Sequence, residues 1–159
     1  VASRHAEIVE DLAKYAETDL LCYRADSPAE LARRQAEAWD PWLAWAGERF
    51  GARLSVTTGI SPVAQSDDAL AQVRAAIAAH DDHGLVALHA AITITGSAVL
   101  GLAFAARQMT SEATLATAQI DEEYQAELWG RDGEAEKVRA RRLADLKAAE
   151  AYLALLASR

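Results

Sequence analysis

Between Gly84 and Ala106 the chain carries no Asp, Glu, Lys or Arg. An uncharged stretch of that length has two homes, a lipid bilayer or the middle of a bundle of other helices. It is long enough to span a membrane, but His89, Thr93, Thr95 and Ser97 interrupt it, and its many alanines add little apolar drive. No second span accompanies it, and amphipathic segments on both sides can wrap it. The segment therefore reads as a core helix, without membrane insertion, in which Gly96 and Gly101 let neighbouring helices come close.

The wrapping segments follow from their periodicity. Ile8, Leu12 and Tyr15 recur at helical spacing over 4–16. TDLLCYRAD (18–26) is apolar and ambiguous between extended chain and coil. Ser27 as N-cap, Pro28 at the first position and Glu30 reaching back predict a helix to about Ala38. Asp40-Pro41 then either caps a second helix or kinks a continuous one, which Gly51 stops. ARLSVTTGISPV (52–63) alternates and is rich in β-branched residues, a strand signal for which LLCYR (20–24) is the candidate partner. Ser66, Asp67 and Asp68 start a helix to about His80, DDHG breaks it, and helices follow over 84–107, 111–129 and 134–157. The expected fold is mainly α: one domain over 1–159, about six helices around a buried central helix, with at most a short β-hairpin.

The 159 residues are 52% hydrophobic and 25% charged, which suits a single globular domain with a real core. A net charge of −8 argues against tracking nucleic-acid phosphates. The one basic run, KVRARR (137–142), has apolar residues interleaved and glutamates upstream, so it reads as a solvated helix face. Cys22 stands alone, which excludes an intramolecular disulfide, fits a reducing compartment and predicts an unreactive buried thiol. The opening VASRHAEIVEDLAKY is charged and amphipathic, so no signal peptide is expected, and the missing initiator methionine suggests a fragment or trimmed product.

Few constellations could carry chemistry. Gly96 and Gly101 have the separation of a phosphate loop, but Leu102 and Ala103 stand where its lysine and hydroxyl belong, so no nucleotide cofactor is expected. HDDH (80–83) with His89 is the best metal candidate, and a small metal-dependent helical enzyme using His80, His83 and His89 is the alternative reading. Asp and His also commonly cap and solvate helix breaks, so no bound metal is expected. No HExxH motif or serine elbow is present.

Two other stretches point to binding. In WDPWLAWAGERFG (39–51), Trp39, Trp42, Leu43, Ala46 and Phe50 share one helical stripe and read as core. Trp45 lies roughly 100° from its middle, where an amphipathic ring meets a partner. In DEEYQAELWG (121–130), a continuous helical wheel places Glu122 among Leu115, Ala118, Ala126 and Trp129. Such an acid either reaches solvent, pairs with an arginine of the last helix, or faces a partner beside Trp129.

The succession TDLLCYRA, WDPWLAWAGERFG, VTTGISPV and DEEYQAELWG resembles the ATP synthase assembly chaperone family that binds the alpha subunit, the "ATP twelve" chaperones of α-proteobacteria and mitochondria, over essentially the whole chain. Trp39, Asp40, Pro41, Trp45 and Gly51 match the family's WDP–W–RFG block, with Trp42 where an aliphatic residue is usual. Glu122, Glu123, Tyr124, Gln125, Trp129 and Gly130 match its EEYQ–WG block. Family members carry a further β-rich N-terminal domain, and this chain is expected to begin after it. The resemblance implies a non-enzymatic role: holding the unassembled alpha subunit of the synthase's catalytic head until the beta subunit displaces it. The expected partner-binding residues are Trp45, Glu122, Glu123, Gln125 and Trp129. The expected setting is a monomer in the bacterial cytoplasm, or the mitochondrial matrix for eukaryotic relatives. Lacking a phosphate loop, the chain should not bind or hydrolyse ATP; titration calorimetry should register no site, and a micromolar one would overturn that expectation.

Overall fold

The computed structural model describes residues 2–159, which form eight α-helices and one minimal sheet. The helices are α1 (Ala2–Ala13), α2 (Ala29–Phe50), α3 (Asp67–Ala78), α4 (Asp82–Thr95), α5 (Ala98–Ala105), α6 (Ser111–Ala118), α7 (Ile120–Trp129) and α8 (Gly133–Ala157). Strand β1 is Tyr23–Arg24 and β2 is Thr57–Thr58. The mainly α expectation holds, with more helices because two predicted segments break. Among the described residues no helix is long and apolar enough to cross a membrane.

The first break divides the uncharged segment. Gly96 takes φ 73°, the left-handed conformation that ends α4, and Ser97 caps α5 by accepting from the Leu100 N–H. The central element is thus a helical hairpin rather than one helix over 84–107. Its second arm is the true centre: every residue from Ala98 to Phe104 is buried. Leu102 joins a core cluster with Leu12, Ile77 and Leu88, while Val99, Leu100 and Ala103 join Trp39 and Ala46. Phe104 meets Leu115 and Leu146 in a third. The arm α4 lies between α5 and α8, and keeps Val86, His89 and Thr93 exposed. Gly101 makes the hairpin tight, since a Cβ there would meet the Ile92 side chain and lie 3.2 Å from its backbone nitrogen.

A buried carboxylate secures the turn. Asp19, fully buried, accepts from Ser97 Oγ (2.7 Å), Leu21 N (3.0 Å) and Val99 N (3.2 Å). Burial outweighs these hydrogen bonds and raises its pKa from 3.8 to about 6. Nearby Cys22 is buried and pushed up to about 12, by burial first and then by the charge of Asp19, so its thiol is inert at neutral pH.

The second break separates α6 from α7 at Gln119 (φ −108°, ψ 31°). The carbonyl of Thr117, which a continuous helix would offer to the Asp121 N–H, accepts instead from the Trp39 indole at 2.7 Å. The wheel drawn across 115–129 therefore fails: Leu115 and Ala118 are buried, while Glu122 and Trp129 are exposed.

Two further expectations are corrected. The strands pair in parallel (Tyr23 with Thr57, Arg24 with Thr58), so they form no hairpin; α2 lies between them in sequence, as a parallel pair requires a long crossover. Apart from single bonds from the Ala52 N–H to the Ala46 carbonyl and the Gly59 N–H to the Arg24 carbonyl, the rest of 52–63 joins no ladder and stays irregular. At the start of α2 the N-cap is Pro28, not Ser27, and Glu30 forms no capping box because Arg33 and Arg34 engage its carboxylate. Helix α2 runs unbroken through Pro41, while Ser66 does cap α3.

Two stability outcomes follow. Gly101→Ala should lower unfolding free energy by about 1–3 kcal/mol in urea titration, since Ile92 must shift; an unchanged midpoint would show that the hairpin opens freely. Asp19 binds its proton more tightly when folded, so its contribution is full below pH 3.8 and is lost as pH rises through about 6. The stability of wild type relative to Asp19→Asn should thus grow on the order of 2 kcal/mol from pH 7 to pH 4. A flat or reversed difference would contradict the raised pKa.

Candidate functional site

Helix α7 has no buried residue, yet it is held on two sides. On the α2 side, Gln35 donates to Asp121 (2.7 Å), Arg34 pairs with Glu127 (2.8 Å), and the Arg34 guanidinium stacks 5.2 Å from the Tyr124 ring centre. On the α8 side, Arg139 reaches Glu123 at 3.2 Å, and Arg131 bridges Glu123 and Glu136. The Arg131 hydrogen bond is the main reason the Glu123 carboxyl is held below its ordinary range, with the charges of Arg131 and Arg139 adding to it. Single exposed ion pairs contribute little, but several converging on one helix fix its position.

The residues that remain unclaimed face outward. Glu122, Gln125, Ala126 and Trp129 line a cavity of about 540 Å³ between α7 and the start of α8, opposite Arg139 and Arg142. Trp129 is 81% exposed and Leu128 56%. The arrangement can bind by contact, offering an aromatic plate, a carboxylate and an amide on a rigid support. Gly130, at φ 87°, ends α7 and lets the chain reverse into α8.

Glu122, Glu123, Gln125 and Trp129 are therefore together, with different surroundings. Glu123 is engaged in the clasp to α8, whereas Glu122, Gln125 and Trp129 have open faces. Trp45 lies elsewhere. It is half-buried on α2, packs against two core clusters, and meets Trp42 (6.0 Å) and Phe50 (5.3 Å) edge to face. Trp42, expected in the core, is also half-buried, and only Trp39 of the three is enclosed. Arg24 stacks over Trp39 at 5.4 Å, and its Nη2 lies 2.9 Å from Asp40, which gives the WDP block a structural task.

The histidines do not converge. His80 Nδ1 lies 3.1 Å from the Ala76 carbonyl, His83 Nδ1 lies 2.8 Å from the Tyr152 hydroxyl, and His89 lines a separate cavity beside α1. Among the described residues no group of three or more His, Cys, Asp or Glu is placed to hold a metal ion, so the alternative enzyme reading has no ligand set.

Sequence reasoning missed Arg34 and Gln35 as the supports of α7. Both sit in an ordinary charged helix, and only their distant partners reveal the role. Arg139 was legible as part of KVRARR, but as a solvated face rather than half of a clasp.

Comparison with known proteins places this geometry. Residues 1–47 match the family model described as ATP12 chaperone protein. The crystal structure of Atp12 from Paracoccus denitrificans superposes with a TM-score of 0.93 at 44% identity, over 98% of this chain and 66% of that one. A point mutant of the same protein gives 0.94 at 43% identity and the same coverage. The Atu1473 protein of Agrobacterium tumefaciens gives 0.92 at 39% identity, over 98% of this chain and 59% of that one. The present chain thus spans about two thirds of the Paracoccus protein's length. Sequence and structure agree along nearly all of it, and the chain belongs to the ATP12 chaperone family.

Proposed function

We propose that this chain is the helical part of an ATP synthase assembly chaperone that holds the unassembled alpha subunit, without enzymatic activity of its own, until the beta subunit replaces it. One observation carries the docking site: α7 buries none of its residues, is fixed on both sides, and displays Trp129 beside Glu122, which forms no ion pair among the described residues. An aromatic left in water on a rigid helix gains apolar contact on docking without an ordering penalty. An unassembled subunit exposes apolar interface and aggregates, so reversible cover of that interface is useful.

In this reading Trp129, Glu122 and Gln125 touch the partner, and Trp45 contributes only its exposed edge. Glu123 acts through the clasp that orients α7. The chain works as a monomer in the cytoplasm, with neither nucleotide nor metal taking part.

Trp129→Ala should leave thermal stability unchanged, because the ring is already exposed, and should weaken capture of the co-expressed alpha subunit by at least about 2 kcal/mol, roughly thirtyfold. Glu122→Gln keeps volume and removes charge, so it should weaken capture less and reduce its salt dependence. Normal alpha-subunit retention by Trp129→Ala would remove α7 as the docking site.

A further inference from the structure

The loop from Ala52 to Gln65 is irregular but pinned. Gln65 makes two hydrogen bonds to the Ser55 backbone (2.7 and 2.9 Å), and β2 pairs with β1. Gly59 donates to the Arg24 carbonyl at 2.9 Å while adopting φ 70°. A chain so tied would ordinarily turn an aliphatic residue inward, yet Ile60 at its tip is 103% exposed and Val56 is 43% exposed. A fixed loop that keeps an isoleucine wholly in water offers a preformed apolar knob.

Its position follows from one side chain. Gln35 accepts from the Ala25 N–H (2.8 Å) and donates to Asp121 (2.7 Å), so the end of β1 and the start of α7 share a single carboxamide. Ala25 directly follows Arg24, the residue that receives Gly59, and this bonded path puts the Gly59 N–H, one residue before the loop tip, within roughly 15 Å of the Asp121 carboxylate. Along α7, Trp129 lies about 12 Å further. Ile60 and Trp129 therefore fall within the span of one interface of about 800 Å² per partner.

We propose that Ile60 is a second anchor of the α7 docking face, entering an apolar pocket with a basic rim on the same partner. Acids near the loop set the rim: Asp26 approaches Gly59, and Asp121 and Glu122 lie in the first turn of α7. They disfavour a second copy of this chain, whose net charge is −8, and an anionic lipid surface. The inference rests on the reading that α7 docks an unassembled ATP synthase alpha subunit.

The test co-expresses that subunit with the full chain as wild type, Ile60→Asp, Trp129→Ala or Leu155→Asp, the last placing a charge at an exposed apolar position near the far end of α8. Ile60→Asp should keep the wild-type Tm and hold the subunit at least about tenfold more weakly, while Leu155→Asp holds it normally. A photo-crosslinking residue at position 60 should attach to the bound subunit. Wild-type capture by Ile60→Asp, alongside loss by Trp129→Ala, would overturn this inference and leave the α7 site standing. Failure of position 60 to crosslink in a captured complex, or crosslinking only to a second copy of the chain, would also overturn it. Absence of capture by wild type would overturn both readings.

Discussion

The turn at Gly96 and Ser97 is the joint on which the domain depends, and Asp19 holds it closed. Its carboxylate accepts the Ser97 hydroxyl and the Val99 N–H, while the Leu20 N–H donates to the Gly96 carbonyl at 3.2 Å. A carboxylate at the N-terminus of α5 meets the positive end of the helix dipole and donors that no helix bond can satisfy. With that turn set, an eight-residue helix can touch all three core clusters at once. A straight helix of the same residues would carry its second half away from α1 and α3.

Order then passes outward through α2. Trp39 fills the cluster built on Val99 and Leu100, and its indole N–H takes the Thr117 carbonyl, ending α6 where α7 must begin. Four and five residues earlier, Gln35 and Arg34 catch the first and middle turns of α7. The tryptophan block and the acidic block are far apart in sequence but mechanically joined, the first determining where the second points.

This design lets α7 remain bare. A helix with no fully buried residue has little apolar face to keep it folded onto the domain; Ile120 packs against the Trp39 cluster, and polar ties add to that contact. Trp129 and Leu128 can stay exposed because charged side chains of both signs flank them and the whole chain is anionic, which discourages self-association. A rigid aromatic surface with charged flanks suits reversible contact with an apolar surface better than a deep, dry pocket would.

The mainly helical class, the uncharged core segment, the inert Cys22 and the caps at Ser66 and Gly51 were legible in the amino-acid order, because periodicity, charge exclusion and capping chemistry are local. That order also marked the acidic block as unusual, though through a wheel that assumed one straight helix. Long-range packing set the rest: that 84–107 folds back, that 111–129 breaks, and that Trp42 is half-buried rather than enclosed. Each of the two breaks depends on a partner far along the chain, Asp19 for Ser97 and Trp39 for Thr117. A helical wheel cannot contain such partners. The division of α7 into a clasped Glu123 and an open Glu122 came the same way, since neighbouring identical side chains differ only by which of them an arginine of α8 can reach.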